Sequence, residues 1–159
     1  MEILEYRDEF KEEIISLILN IQNNEFNMRI SESDQPDLQN IGDYYQKAAG
    51  NFWMAISEGK VVGTISILDI GDRIGALRKM FVVSEFRGKE KAVSCSLIKT
   101  AFNWCEANSY RRIFLGTTDK FRAAHRFYEK SGFKEVHKID LATAFPVMQV
   151  DTKFYAYSF

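Results

Sequence analysis

Leu77-Arg78-Lys79-Met80-Phe81-Val82-Val83, then Ser84-Glu85-Phe86-Arg87-Gly88-Lys89, then Glu90 through Ala101: this stretch decides the fold. An apolar strand runs through a short basic turn directly into a long amphipathic helix. Such a junction builds an anion site, because the first N–H groups of a helix have no intrahelical partner and the helix dipole is positive there. Gly88 lets backbone come close to the anion, while Arg87 and Lys89 add formal charge. A basic turn kept only for solubility would carry the same residues.

Further along, Phe121-Arg122-Ala123-Ala124-His125-Arg126-Phe127-Tyr128-Glu129-Lys130-Ser131-Gly132-Phe133 forms a second unit. Ala123, Ala124, Phe127 and Tyr128 recur at helical spacing, Gly132 suits a helix C-terminus, and Phe133 opens another strand. Together the two units resemble the GNAT superfamily of acyl-CoA-dependent N-acetyltransferases. The first is similar to its pyrophosphate loop, R/Q-x-x-G-x-G/A, and the second to its A-x-x-x-Y-E-K-x-G-F helix. Their order, their separation and the strand between them, Arg112–Thr117, match as well.

The resemblance implies an α/β fold (mixed α+β), with a mostly antiparallel mixed sheet of about seven strands flanked by about four helices. One acetyltransferase domain would span residues 1–159. A chain of 159 residues, 46% hydrophobic and 27% charged, is long enough to bury its own core. Thirteen Phe make much of that core aromatic. A net charge of −1 gives no argument for nucleic acid or an anionic membrane as partner. Cys95 and Cys105 fall on one predicted helix about 15 Å apart, too far for a disulfide. Two His and no paired Cys make no zinc pattern, and no metal is expected. Without a signal core or a membrane-length apolar run, a cytoplasmic protein is expected.

Periodicity predicts a strand over 2–6 and a helix over 7–23 carrying Phe10, Ile14, Leu17, Ile18 and Ile21. A second helix begins at Pro36 with Asp34 as its cap and buries Leu38, Ile41, Tyr45 and Ala48. Strands over 52–57 and 60–68 meet at Glu58-Gly59, and a third runs over 76–83. The helix from Glu90 to Asn108 buries Val93, Leu97, Ala101 and either Trp104 or Cys105. Strands over 112–117 and 133–139 follow, then a last one from Val147 with Met148, Val150, Thr152, Phe154 and Ala156 on one face.

For the site, the resemblance implies acetyl-CoA as donor and an amine as acceptor. Arg87, Gly88, Lys89, Lys91, Ala92 and Val93 would hold the pyrophosphate. Met80, Phe81 and Val82 would offer backbone to the pantetheine and an amide to the thioester oxygen. Phe121, Ala124 and Phe127 would line the coenzyme from the second unit. Tyr128 would protonate the departing thiolate, a phenol of pKa about 10 serving a thiol of about 8.5. On spacing alone it would be a core tyrosine.

Two positions depart from the family pattern. Glu90 stands where the R/Q-x-x-G-x-G/A loop usually has Gly, while Ala92 fits the G/A slot; Glu90 either points away and favours the helix N-terminus or repels the pyrophosphate. At about 5 Å and a dielectric near 20, one such pair costs about 3 kcal/mol. Phe121 replaces an Asn that bonds the pantetheine, so that hydrogen bond is either missing or made instead by Arg122 or Thr118. These departures motivate a second reading, a non-catalytic acyl-CoA-binding module. Longer acyl groups would use the same loop.

The general base is not legible; Glu25, Asp69 and Asp72 are candidates, beside a water chain. His125 shares a helix face with Tyr128. The acceptor side is expected from the 24–37 loop, its flanking helices and the 141–145 loop. Acids there would suit a cationic amine, and Phe26, Tyr44, Tyr45 and Phe145 would wall a pocket or belong to the core. A small amine, amino acid or antibiotic-like molecule is favoured over a protein substrate. A homodimer stays open.

Overall fold

A computed structural model describes residues 1–88, 90 and 92–159. Seven strands form one sheet: β1 (Glu2–Glu5), β2 (Asn51–Ser57), β3 (Lys60–Asp69), β4 (Ile74–Val82), β5 (Arg112–Thr117), β6 (Lys134–Val136) and β7 (Lys153–Ser158). Their order is β1-β2-β3-β4-β5-β7-β6, antiparallel except for the parallel β4–β5 pair. Among the described residues four α-helices flank it: α1 (Lys11–Leu19), α2 (Ile41–Tyr45), α3 (Val93–Ala107) and α4 (Arg122–Lys130). This is the expected mixed architecture.

Each face of the sheet buries its own apolar cluster. Ile14, Ile18, Leu38, Ile41 and Tyr45 pack on Phe52 and Met54 from one side. Leu97, Ala101 and Cys105 of α3, with Tyr128 of α4, pack on Trp53, Ile65, Leu77 and Leu115 from the other. Of the two α3 alternatives, Cys105 is fully buried, and burial pushes its thiol up to about 12. Trp104 sits beside it with its indole N–H donated to the Ala49 carbonyl at 2.8 Å. The β2–β3 turn is a two-residue hairpin in which Glu58 and Gly59 both have positive φ.

Several boundaries differ from the periodicity. Arg7 is extended, and α1 is entered through a 3₁₀ turn (Asp8–Phe10) and left through a π turn (Asn20–Glu25). The segment from Pro36 is 3₁₀ to Asn40 before α2 begins. Asp34 does not cap it; its carboxylate instead accepts the Ser31 N–H and hydroxyl, each at 2.9 Å. The strand after Phe133 stops at Val136 and gives way to a 3₁₀ turn, Lys138–Asp140. The last strand starts at Lys153, not Val147, because the Met148 and Asp151 backbones close a turn between them. Phe154, Tyr155 and Ala156 are then all buried, since β7 lies inside the sheet between β5 and β6. No helix among the described residues is long and apolar enough to cross a membrane.

Candidate active site

The site is made where two parallel strands part. β4 and β5 pair only over Ile74–Ala76 and Arg112–Phe114, after which β5 continues along β7 and β4 along β3. Within β4 the ladder carries a bulge: Ser66 faces Arg78 and Thr64 faces Phe81, so Lys79 and Met80 together oppose Ile65. Lys79 takes φ +55°, a left-handed conformation costing about 1–2 kcal/mol for a side-chain-bearing residue. Hydroxyls of the neighbouring strand satisfy the displaced carbonyls: Thr64 Oγ1 donates to Lys79 at 2.6 Å and Ser66 Oγ to Arg78 at 2.7 Å. The divergence opens a cleft, and the bulge re-aims the β4 backbone beside it.

Two adjoining cavities occupy this opening. The first, about 90 Å³, is lined by Met80, Phe81, Phe121 and Tyr128 among the expected site residues, and by Gly116 and Asp151. The second, about 650 Å³, lies against Met28, Arg29, Tyr44 and the 146–150 segment. Arg78 borders both. Val82 is buried in the core, and Ala124 and Phe127 are half-buried against the same cluster as Met80.

At the β4–α3 corner, Gly88 has φ +105°, and a Cβ added there would meet open space. Only its backbone conformation therefore demands glycine. Ala92 is left-handed at φ +54°, and α3 starts at Val93 with no side chain capping its first N–H groups. The strand–turn–helix junction expected from the sequence is thus present, with a helix N-terminus at this corner. Lys89 and Lys91 lie outside the described residues. Glu90 is exposed and precedes the helix, so it is not part of its first turn. Arg87 is engaged elsewhere: Nε donates to the Val82 carbonyl at 2.8 Å, and the guanidinium makes a two-pronged pair with Glu25.

Tyr128 contacts Phe127, Phe133 and Tyr155 by its ring. Its hydroxyl takes no hydrogen bond among the described residues, and burial pushes its pKa up, so it stays protonated near neutrality. His125 Nε2 lies 2.9 Å from the Thr118 carbonyl and donates to it, fastening α4 to the end of β5. Phe121 stacks edge-on with Phe26 and Phe81, at centroid distances of 4.7 and 6.3 Å.

The acids proposed from sequence for proton transfer are taken. Glu25 holds Arg87, Asp72 holds Arg111, and Asp69 accepts the Ala49 and Gly71 amides. On the acceptor side Glu32 bonds Gln39, and Tyr45 and Asp37 are buried. The Tyr45 hydroxyl donates to Asp37 at 2.6 Å, and Lys79 Nζ lies 3.6 Å from the same oxygen and donates to Gln35 at 2.6 Å. Burial lowers Lys79 to about 8, against the pull of Asp37. Burial acts the same way on Arg78, but the fields of Tyr45 and Asp37 prevail and hold its guanidinium above the usual range. Arg78 donates to the Tyr44 hydroxyl at 3.1 Å.

Sequence reasoning missed Arg78, Lys79 and Asp151. A signal was present: two adjacent cations inside an apolar strand cannot both face solvent on an alternating backbone.

The chain is similar to several known proteins. An acetyltransferase of the GNAT family from Staphylococcus aureus Mu50 superposes with a TM-score of 0.95 at 40% identity, covering 99% of this chain and 98% of that one. The PaiA N-acetyltransferase of Thermoplasma acidophilum, solved in complex with coenzyme A, shares the fold at a TM-score of 0.74 and 15% identity, over 99% of this chain and 98% of that one. N-acetylaspartate synthetase of Xenopus tropicalis is 39% identical over 106 residues, 65% of this chain and 38% of that protein. The chain thus spans well under half the length of such curated relatives. Residues 15–133 match the acetyltransferase (GNAT) family. The chain belongs to that family.

Proposed function

We propose that residues 1–159 act as one domain that moves an acetyl group from acetyl-CoA to the primary amine of a small amino acid, by direct attack in a ternary complex. The α3 amides and the Gly88 corner would receive the pyrophosphate, with Lys89 and Lys91 adding charge. Arg87 would shape that corner through Val82 and Glu25 as much as neutralise the anion. The backbone of Met80–Val82 would receive the pantetheine and the thioester oxygen. Ala124, Phe127 and Phe121 would enclose it, and Tyr128 would supply the thiolate's proton. The Thermoplasma protein of the same fold was solved with coenzyme A, which supports a coenzyme A thioester as donor.

The observation that carries the acceptor class is Arg78, a cation bordering both the donor-side cavity and the larger one beside it. Guanidinium is the natural partner of a carboxylate. Arg29 borders the larger cavity too. Of the acids expected to attract a cationic amine, Glu25, Glu32, Asp34 and Asp37 already have partners. The relatives named N-acetylaspartate synthetase point the same way, towards an amino acid bearing a second carboxylate.

Acetyl-CoA consumption measured over a panel of aspartate, glutamate, neutral amino acids, a polyamine and a peptide tests this. Turnover is expected with the amino acids, best with the acidic ones. Turnover with the polyamine or the peptide alone refutes the acceptor class, and thermal stabilisation by acetyl-CoA without turnover on any amine refutes catalysis.

A further inference from the structure

An amino-acid acceptor arrives as an ammonium and must lose a proton before its nitrogen can attack. We propose that the Asp151 carboxylate is the group that takes this proton. The inference rests on the acetyl-transfer reading above.

Three observations carry it. Asp151 borders the same cavity as Met80, Phe81 and Tyr128, where the thioester would lie. Its carboxylate is seated over a bare stretch of β5: a Cβ on Gly116 would stand 2.5 Å from Oδ2 and 2.7 Å from Cγ. Gly116 has no positive φ, so it is space for this carboxylate, not backbone strain, that demands glycine. Finally, the turn that ends before β7 orients the group, with the Met148 N–H donating to Oδ2 at 2.9 Å. Oδ1 takes no hydrogen bond among the described residues.

The charged groups around Asp151 are Arg78 and Lys79 from β4, with Asp119 held nearby by the Thr152 hydroxyl at 2.8 Å. Burial raises the Asp151 pKa more than the Met148 amide and the two cations lower it. That moves the carboxylate towards the range where a base works near neutral pH.

In the step, Asp151 takes one proton from the ammonium and the freed nitrogen forms a C–N bond to the thioester carbon. The C–S bond breaks with its electron pair on sulfur. Sulfur takes a proton from Tyr128, which regains one from the nitrogen, and Asp151 releases its proton to solvent. Arg78, on the acceptor side, would hold the carboxylate and so present the ammonium.

The test compares wild type with Asp151→Asn and Gly116→Ala, using the amino acid that wild type turns over best, with acetyl-CoA binding measured by calorimetry. Asp151→Asn is expected to lower kcat about a hundredfold with acetyl-CoA affinity kept within about twofold. Its rate should climb with pH following the free amine, instead of levelling near neutrality as in wild type. Gly116→Ala retains the carboxylate but displaces it, and should lose at least tenfold in kcat. A folded Asp151→Asn enzyme with wild-type kcat and pH profile overturns the assignment alone. Wild type that turns over no amine overturns the underlying reading and this assignment with it.

Discussion

Replacing the buried Lys79–Asp37 pair with neutral residues should flatten the alkaline dependence of stability. Both side chains are almost wholly buried, at 3% and 4% exposure. In the unfolded chain the lysine titrates at 10.5, in the folded protein at about 8, chiefly because burial disfavours its charge. Below pH 8 both states are protonated, and the folded state carries the full handicap of about 3 kcal/mol. Between pH 8 and 10.5 the unfolded chain binds more protons, so stability rises with pH through that window. From pH 7 to 9 this one group contributes a rise of about 1.3 kcal/mol. Cys105 pulls the other way, since burial holds its thiol protonated in the folded state while the unfolded thiol ionises near 9. The buried tyrosines do the same from about pH 10.

The measurement is therefore a difference: urea unfolding of wild type and of Asp37→Asn/Lys79→Met at pH 7 and pH 9. Removing both charges avoids stranding one in the interior, which would cost about 3–5 kcal/mol by itself. The stability change from pH 7 to 9 should be about 1.3 kcal/mol more positive in wild type than in the double variant. Equal changes in the two proteins would mean that Lys79 titrates as a solvated lysine, refuting its description as a desolvated cation.

Tyr128→Phe should lower kcat at least about tenfold and leave acetyl-CoA affinity unchanged, because the hydroxyl bonds nothing among the described residues; unchanged turnover removes it from the chemistry. Arg78→Ala should raise the KM of an acidic amino acid at least tenfold, the loss of a charge-assisted bond of about 1.5–3 kcal/mol, with acetyl-CoA KM unaltered. An equal rise for neutral and acidic amines would refute its role as carboxylate partner. Glu90→Gly should tighten acetyl-CoA binding a few-fold, less than a buried repulsion would, since Glu90 is exposed; equal affinity by calorimetry refutes the repulsion.

The order of elements was legible from residues alone. Ile14, Ile18, Leu97 and Ala101 sit at helical spacing and are buried as that spacing demands. Glu58-Gly59 read as a hairpin and is one. Boundaries were less legible where short polar bonds compete with periodicity, as when Ser31 claims the Asp34 carboxylate or Met148 and Asp151 close a turn inside an alternating run. The alternation from Val147 failed for a further reason. A strand between two neighbours, covered on both faces, buries consecutive residues, so Tyr155 is as hidden as Phe154.

By itself, then, the sequence determined the fold class, the strand–turn–helix corner at Gly88 and the presence of a tyrosine on the second helix, because each is a matter of near neighbours in the chain. What lies in the cleft was decided by tertiary structure. Arg78 and Lys79 on β4, Tyr128 on α4 and Asp151 before β7 line one cavity because β4 and β5 part and a bulge disturbs the ladder beside them. These elements are far apart in sequence, and the desolvation that lowers Lys79 or raises Asp151 comes from burial, which no local pattern records.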